Sequence, residues 1–240
     1  SMDRAKLGRV EELFREQIDE GLHPGAGLAV YRYGQLVLDI KGGLADADLG
    51  QAVSDDTLFV LMSSTKAIAA CCLYILKDRG RLAWDDPVSK HWPEFGKHGK
   101  QRVTINHVLT HRSGIPETPK NLPWSDWIDW GKVVSSMEDA VPTFTPGEAL
   151  VYHPVNYGWV IGELVHRIDG RPFNEFLSQE ITEPLGMADT YVGLPAHLES
   201  RVAKIHLMGE ESDPNGVVLR YNLSLIHISE PTRLGMMSYA

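Results

Sequence analysis

Residues 63–76 read SSTKAIAACCLYIL, a Ser-x-x-Lys element followed by ten residues that are almost wholly apolar. A helix that is apolar all round is normally buried in a core, so this stretch predicts a central helix that opens at Ser63. Gly80 is a plausible C-terminal stop for it. We therefore expect Lys66 near the start of a buried helix, where a solvated lysine would be unusual.

The pair formed by Ser63 and Lys66 fits nucleophilic catalysis. Serine is a poor nucleophile at neutral pH, so another group must take its proton. A lysine three residues later on a helix lies on the same face, and burial lowers its pKa until it can act as a base or hold a neighbouring base in place. The N–H groups at a helix start also suit a developing oxyanion. The structural alternative is an N-cap serine with a solvated lysine.

The composition disfavours several classes of protein. The chain has 240 residues and a net charge of −9, with no basic cluster, which disfavours a nucleic-acid-binding surface. No apolar run approaches the roughly 18–20 residues of a membrane span. The N-terminal segment lacks the apolar stretch of a secretory signal, which favours a cytoplasmic protein, with a leader outside this sequence as the alternative.

Neither the cysteines nor the histidines predict a metal site. Cys71 and Cys72 are adjacent on the predicted helix, are poorly placed to bridge, and are interpreted as small buried hydrophobic residues. His107 and His111 are four residues apart, but no glutamate follows His107 as it does in a zinc-protease helix. We expect no metal and no cofactor.

Hydrophobic spacing and turn residues predict further elements along the chain. They are a helix over residues 5–22, a β-hairpin of residues 27–33 and 36–40 closed by Gly42-Gly43, a short helix after residues 85–87, and helices over residues 104–109, 156–168 and 173–181.

Trp124, Trp127 and Trp130 recur at every third residue, which fits one helix face. They form either a packed aromatic stripe or a lid over an acyl-binding pocket.

Six short motifs occur in a fixed order between residues 23 and 207. They are Asp56-Thr57-Leu58-Phe59 ahead of Ser63 and Lys66; Gly80-Arg81-Leu82 with Asp85-Asp86-Pro87; Thr104-Ile105 with His107-Val108-Leu109-Thr110-His111 and Ser113-Gly114-Ile115; Pro146-Gly147; Tyr152; and Glu183-Pro184-Leu185-Gly186-Met187 with Asp189-Thr190. Together they resemble the serine β-lactamase-like hydrolases. The nearest branch is the one shared by class C β-lactamases, family VIII carboxylesterases and D-amino-acid peptidases.

The resemblance implies an α/β (α+β) fold, with an antiparallel sheet flanked by helices and a mostly helical lobe. It implies a serine hydrolase in which Ser63 attacks a carbonyl, Lys66 and Tyr152 move the proton, and the Ser63 N–H forms half of the oxyanion hole. We expect the three side chains to converge within roughly 2.6–3.5 Å. The structural alternative for Tyr152 is a packed tyrosine with a bonded hydroxyl.

One departure from the family pattern bears on the substrate class. In the lactamases an asparagine follows the tyrosine two residues later, whereas this chain has Pro154, aligned by Pro146-Gly147 before it and Asn156-Tyr157-Gly158 after it. Proline cannot supply the side-chain amide that lactamases offer to the lysine and the substrate. Small esters are therefore favoured, with β-lactams second and D-amino-acid peptides third.

The family's third motif, a strand sequence such as Lys-Thr-Gly or His-Gly-Gly, is not found after Tyr152. Residues 223–233, LSLIHISEPTR, resemble the translation of a sequencing-library adapter. We therefore expect an incomplete β-lactamase-like serine hydrolase domain over residues 1–222 and a non-native tail over residues 223–240. The alternatives are a divergent natural C-terminus and, for the function, an inactive fragment or a penicillin-binding pseudo-enzyme.

Overall fold

The computed structural model describes residues 4–205, which divide into two units: residues 4–60 with 197–205, and residues 61–196. Residues 206–222 of the predicted domain and the predicted tail, 223–240, lie outside the described residues. The predicted combination of an antiparallel sheet with helices and a mostly helical lobe is confirmed. Within residues 4–205, no helix has both the length and the apolar character needed to cross a membrane.

The first unit contains the predicted β-hairpin. β1 is Gly25–Arg32 and β2 is Gln35–Asp46, and a short β3, Gln51–Ala52, pairs antiparallel with the end of β2. The two turn residues, Tyr33 and Gly34, have φ values of 50° and 74°. Positive φ at both positions is typical of the type I′ turn, whose twist matches that of the strands.

β2 extends beyond the predicted strand, because Gly42 and Gly43 lie inside it and do not close the hairpin. The predicted N-terminal helix is α1, Arg4–Asp19, and it packs against β2. A Cβ atom at Gly42 would lie 3.1 Å from Ile18 Cδ1. The glycine therefore serves close packing of helix on strand, a role that a turn-based interpretation misses.

The second unit is helical and is organised around α6, Asn156–Asp169, of whose fourteen residues eleven are buried. Its other helices are α2 (Thr65–Asp78), α3 (Val88–His91), α4 (Ile105–Leu109), α5 (Trp130–Asp139) and α7 (Phe173–Leu177). All six helices contribute to a buried hydrophobic cluster. α4, α6 and α7 begin within one residue of their predicted starts.

α2 is not the fully buried helix that its apolar sequence predicts. It packs on α6 and buries four residues, but Cys71 and Tyr74 are exposed. An unbroken apolar run has no polar face to mark the solvent side, so composition alone cannot show which residues are covered. The interpretation of the two cysteines as buried is right for Cys72 and wrong for Cys71.

The three tryptophans do not share one helix face. Trp124 lies in a 3₁₀ turn, whereas Trp130 begins α5 after Asp129, whose carboxylate caps that helix. The rings of Trp124 and Trp127 stack with centroids 4.2 Å apart, and the buried Trp127 packs edge-on against Trp159 at 4.9 Å. The single-helix prediction is wrong, and these contacts favour the packed aromatic alternative.

Candidate active site

Ser63 lies in a 3₁₀ turn, Met62–Ser64, that runs directly into α2. Met62 has a φ of 46°, in the left-handed region that non-glycine residues rarely adopt. Backbone strain of this kind clusters at functional sites. Lys66 follows in the first turn of α2, so the predicted helix start is correct to within this turn.

The side chain of Tyr152 meets those of Ser63 and Lys66. The Ser63 Oγ and Tyr152 Oη atoms are 2.5 Å apart. The Lys66 Nζ atom lies 3.5 Å from Ser63 Oγ and 4.9 Å from the centroid of the Tyr152 ring. The predicted convergence is confirmed for both contacts of Ser63, whereas the catalytic roles of the three residues stay predictions. All three residues belong to the unit of residues 61–196.

Pro154 provides Lys66 with an acceptor through its main chain. The Lys66 Nζ atom donates a hydrogen bond to the Pro154 carbonyl oxygen at 2.8 Å. Proline lacks a side-chain amide, as the sequence indicates, but it keeps a backbone carbonyl. The departure at position 154 therefore changes the chemistry of the acceptor and leaves the ammonium anchored.

The environment lowers the pKa values of both Lys66 and Tyr152. Burial lowers the pKa of Lys66, and the hydrogen bond and charge of Tyr152 only partly oppose this. Burial alone would raise the pKa of Tyr152, but hydrogen bonds with Ser63 and Lys66, together with the Lys66 charge, lower it overall. Groups coupled in this way titrate as a pair and can exchange a proton.

His111 lies directly against Tyr152. Its ring centroid is 4.9 Å from that of Tyr152, and its Nδ1 atom accepts a hydrogen bond from the His153 backbone N–H at 3.2 Å. His107, its neighbour at helical spacing, has a different role. The His107 side chain accepts from the Thr104 backbone N–H and completes the capping box of α4.

His153 is buried and bonded at both ring nitrogens. Its Nδ1 atom lies 2.5 Å from the Val151 carbonyl oxygen, and its Nε2 atom lies 2.8 Å from Ser113 Oγ. A carbonyl can only accept, so Nδ1 carries the proton and the Ser113 hydroxyl donates to Nε2. Burial lowers the pKa of His153 to about 4, so the ring is neutral at pH 7.

Sequence reasoning missed His111, His153, Ser113 and Asn156 as residues that surround the tyrosine. Asn156 begins α6, and its side-chain amide donates at 2.8 Å to the Ile115 carbonyl oxygen, which ties residues 113–115 to that helix. His111 and Ser113 belong to a motif that carried the resemblance. That motif was the available signal, but it does not state what these residues contact.

A sequence profile described as Beta-lactamase matches residues 10–222. The chain belongs to this family. It is 31% identical over 195 residues to "Esterase/beta-lactamase LipL" of Mycobacterium tuberculosis, with 81% of this chain and 45% of LipL covered. It is 33% identical over 207 residues to "Esterase EstB" of Burkholderia gladioli, with 79% and 52% covered.

The fold has a close relative among solved structures. A penicillin-binding protein homolog from Caulobacter crescentus superposes with a TM-score of 0.78 at 38% identity, with 85% of this chain and 54% of that chain covered. The chain thus spans about half the length of the relatives it matches. The resemblance to the β-lactamase-like hydrolases inferred from the motifs is confirmed.

Proposed function

We propose that this chain carries the nucleophile and the proton-transfer groups of a serine hydrolase that acts on small esters through an acyl-enzyme. One observation carries the proposal: the Ser63 and Tyr152 hydroxyl oxygens are 2.5 Å apart, with the Lys66 amine 3.5 Å from the serine. A serine hydroxyl bonded to a tyrosine of lowered pKa has a partner that can take its proton.

In the proposed reaction the Ser63 Oγ attacks the carbonyl carbon of the ester as its proton passes to Tyr152. Lys66 stabilises the tyrosine in its deprotonated form, and the Ser63 backbone N–H donates to the oxyanion of the tetrahedral intermediate. The C–O bond to the leaving group then breaks, and Tyr152 returns the proton to the departing alkoxide. Water repeats the sequence on the acyl-enzyme, releasing the acid and free Ser63.

The choice of esters rests on position 154 and on the names of two relatives. Lys66 is held by a main-chain carbonyl, so no side-chain amide at position 154 is present to bind the amide of a β-lactam. LipL carries the printed name esterase/beta-lactamase and EstB that of esterase. These names support ester hydrolysis first and β-lactam hydrolysis second, and D-amino-acid peptides stay the third class predicted from the sequence.

A second candidate is penicillin binding without rapid turnover, in an inactive fragment or a pseudo-enzyme. It is favoured by the 38% identity to the penicillin-binding protein homolog. In this reading Ser63 would form a stable adduct with penicillin and turn over no ester. The cytoplasmic location and the absence of a cofactor, a metal or a nucleic-acid partner stay predictions from the sequence.

The deciding experiment combines mass spectrometry with steady-state kinetics on the product of the longest reading frame that contains residues 1–222. We expect an acyl adduct on Ser63 and faster turnover of p-nitrophenyl butyrate than of nitrocefin. An adduct on another residue would overturn the mechanism. Rapid nitrocefin hydrolysis with negligible ester turnover would overturn the substrate class, and a long-lived penicillin adduct without turnover would favour the second candidate.

A further inference from the structure

His111 holds the backbone on both sides of Tyr152. The His111 carbonyl oxygen accepts from the Val151 N–H at 3.0 Å, and the His111 Nδ1 atom accepts from the His153 N–H at 3.2 Å. Tyr152 lies between these two donors. A single residue therefore uses its main chain and its side chain to fix both neighbours of the tyrosine.

The His111 ring also limits where the Tyr152 ring can go. It contacts Tyr152 and Tyr157 with centroid distances of 4.9 Å to each, and it stacks at 5.7 Å on His153. Aromatic rings at these separations attract one another, so the imidazole fills the space behind the tyrosine. The His111 side chain, which accepts the hydrogen bond from the His153 N–H, therefore also packs against the Tyr152 ring.

The backbone of His111 has a strained conformation that allows its two hydrogen bonds to segment 151–153. Its φ is 57°, in the left-handed region, where a non-glycine residue has an unfavourable conformation. The following residue is held by a hydrogen bond from the Gly147 N–H to the Arg112 carbonyl at 2.9 Å. This conformation lets the carbonyl and the imidazole of one residue both reach segment 151–153.

We propose that His111 is a positioning residue for Tyr152, and that it acts only as a neutral imidazole with its proton on Nε2. The inference rests on the proposed function, in which Tyr152 takes the proton of Ser63. Protonation at Nδ1 would set one N–H against another, that of His153. The bond would break, and the tyrosine would lose one of its two backbone anchors.

The surroundings of the ring favour the neutral form. The titratable groups that face it are Lys66 from α2, Tyr152 and His153 from segment 151–154, and Tyr157 from α6; Arg112 follows it in the chain. Burial lowers the pKa of His111, and the Lys66 cation lowers it further. His153 is itself neutral at pH 7. His111 should therefore protonate only below its ordinary pKa of 6.5, and activity should fall there.

Two substitutions at this position separate positioning from packing. His111→Ala removes the acceptor, whereas His111→Asn offers an amide oxygen close to the position of Nδ1, tolerates positive φ and cannot titrate. We expect His111→Ala to lower kcat by about 10–10²-fold with little change in KM, the effect of a small displacement of a reacting group. His111→Asn should restore most of kcat and flatten the acid limb of the pH–rate profile.

The matched control is His107→Asn, which alters a histidine inside α4 whose ring completes the capping box of that helix. It should leave kcat and the acid limb near the parental values. Parental kinetics in His111→Ala would overturn the proposal. An acid limb that persists unchanged in His111→Asn would also overturn it. So would a loss of kcat in His107→Asn as large as the loss in His111→Ala, at an equal loss of thermal stability.

A readout that needs no turnover separates this inference from the proposed function. The ¹³Cζ resonance of Tyr152, assigned through its loss in Tyr152→Phe, should shift in His111→Ala and return toward its parental position in His111→Asn. An unshifted resonance would overturn the positioning role even in an active enzyme. A parent protein without a Ser63 adduct would overturn the proposed function alone, and the resonance would still decide the role of His111.

Discussion

The two sides of the candidate site are built by different kinds of contact. The helix side, residues 62–66, places Ser63 and Lys66 on one continuous stretch of backbone. The loop side, residues 111–113 and 151–156, places Tyr152 through hydrogen bonds between segments about 40 residues apart. Local spacing determines the first arrangement, whereas the second depends on several separate bonds. Removing a single hydrogen bond should therefore shift the loop side in part. No single hydrogen bond has that role on the helix side.

The largest effect is expected on the helix side. Ser63→Ala removes the oxygen that we propose as the nucleophile, so it should abolish both turnover and the acyl adduct. Ser64→Ala is the matched control, because Ser64 is an exposed serine of the same turn. Mass spectrometry with a trapped acyl donor should show an adduct in the parent and in Ser64→Ala only. An adduct in Ser63→Ala would show that the nucleophile lies elsewhere.

Removing one proposed proton-transfer group from each side tests whether the two sides act together. Lys66→Ala and Tyr152→Phe should each lower the acylation rate by about 10²–10⁴, the usual contribution of a positioned acid or base. Because the proposed mechanism uses the two groups as one unit, the double variant should lose little more than either single one. Stopped-flow acylation measures all three rates. Multiplicative losses would mean that Lys66 and Tyr152 act independently.

What the sequence could predict follows the same division. The three-residue spacing of Ser63 and Lys66 was enough to place both on one helix end, and turn chemistry was enough to find the hairpin. Tyr152 came from a family resemblance, because no local pattern connects it to a serine 89 residues away. The spacing of hydrophobic residues along the chain does not show which distant residues meet in the fold.

The errors have physical causes of the same kind. The unbroken apolar run of α2 predicted complete burial, but the helix that is buried nearly all round is α6, whose sequence includes Asn156 and Glu163. These two polar residues are buried because they bond to carbonyls and to Trp130 and Arg167, respectively. The sequence presents His111 as a possible metal ligand and as part of a family motif, but its backbone conformation cannot be predicted from its neighbours.

A pH titration probes the loop side without any assay of turnover. His153 is neutral in the folded state, with its pKa lowered from 6.5 to about 4 by burial. The unfolded chain therefore binds more protons between these values. The contribution of His153 to the free energy of unfolding should be greatest above about pH 6.5 and should fall by up to about 3 kcal/mol as the pH drops to about 4.

Urea unfolding across that pH range measures this dependence in the parent and in His153→Gln. His153→Gln should reduce the slope by the contribution of one proton. An unchanged slope in His153→Gln would mean that the ring is already charged in the fold, contrary to its bonding.

The smallest effect comes from a single hydroxyl on the loop side. Ser113→Ala removes the donor to His153 Nε2 and leaves a buried acceptor unsatisfied, which should lower the free energy of unfolding by about 1–3 kcal/mol. Ser136→Ala is the control, because that buried serine donates only to Val133 within its own helix, at 2.8 Å, and should cost less.

Acylation should slow in Ser113→Ala and not in Ser136→Ala, since only the first bond supports the segment that carries Tyr152. If Ser113→Ala and Ser136→Ala lost equal stability and kept equal acylation rates, the bond between Ser113 and His153 would not help to position Tyr152. The contrast between the loop side and the helix side would then depend on His111 alone.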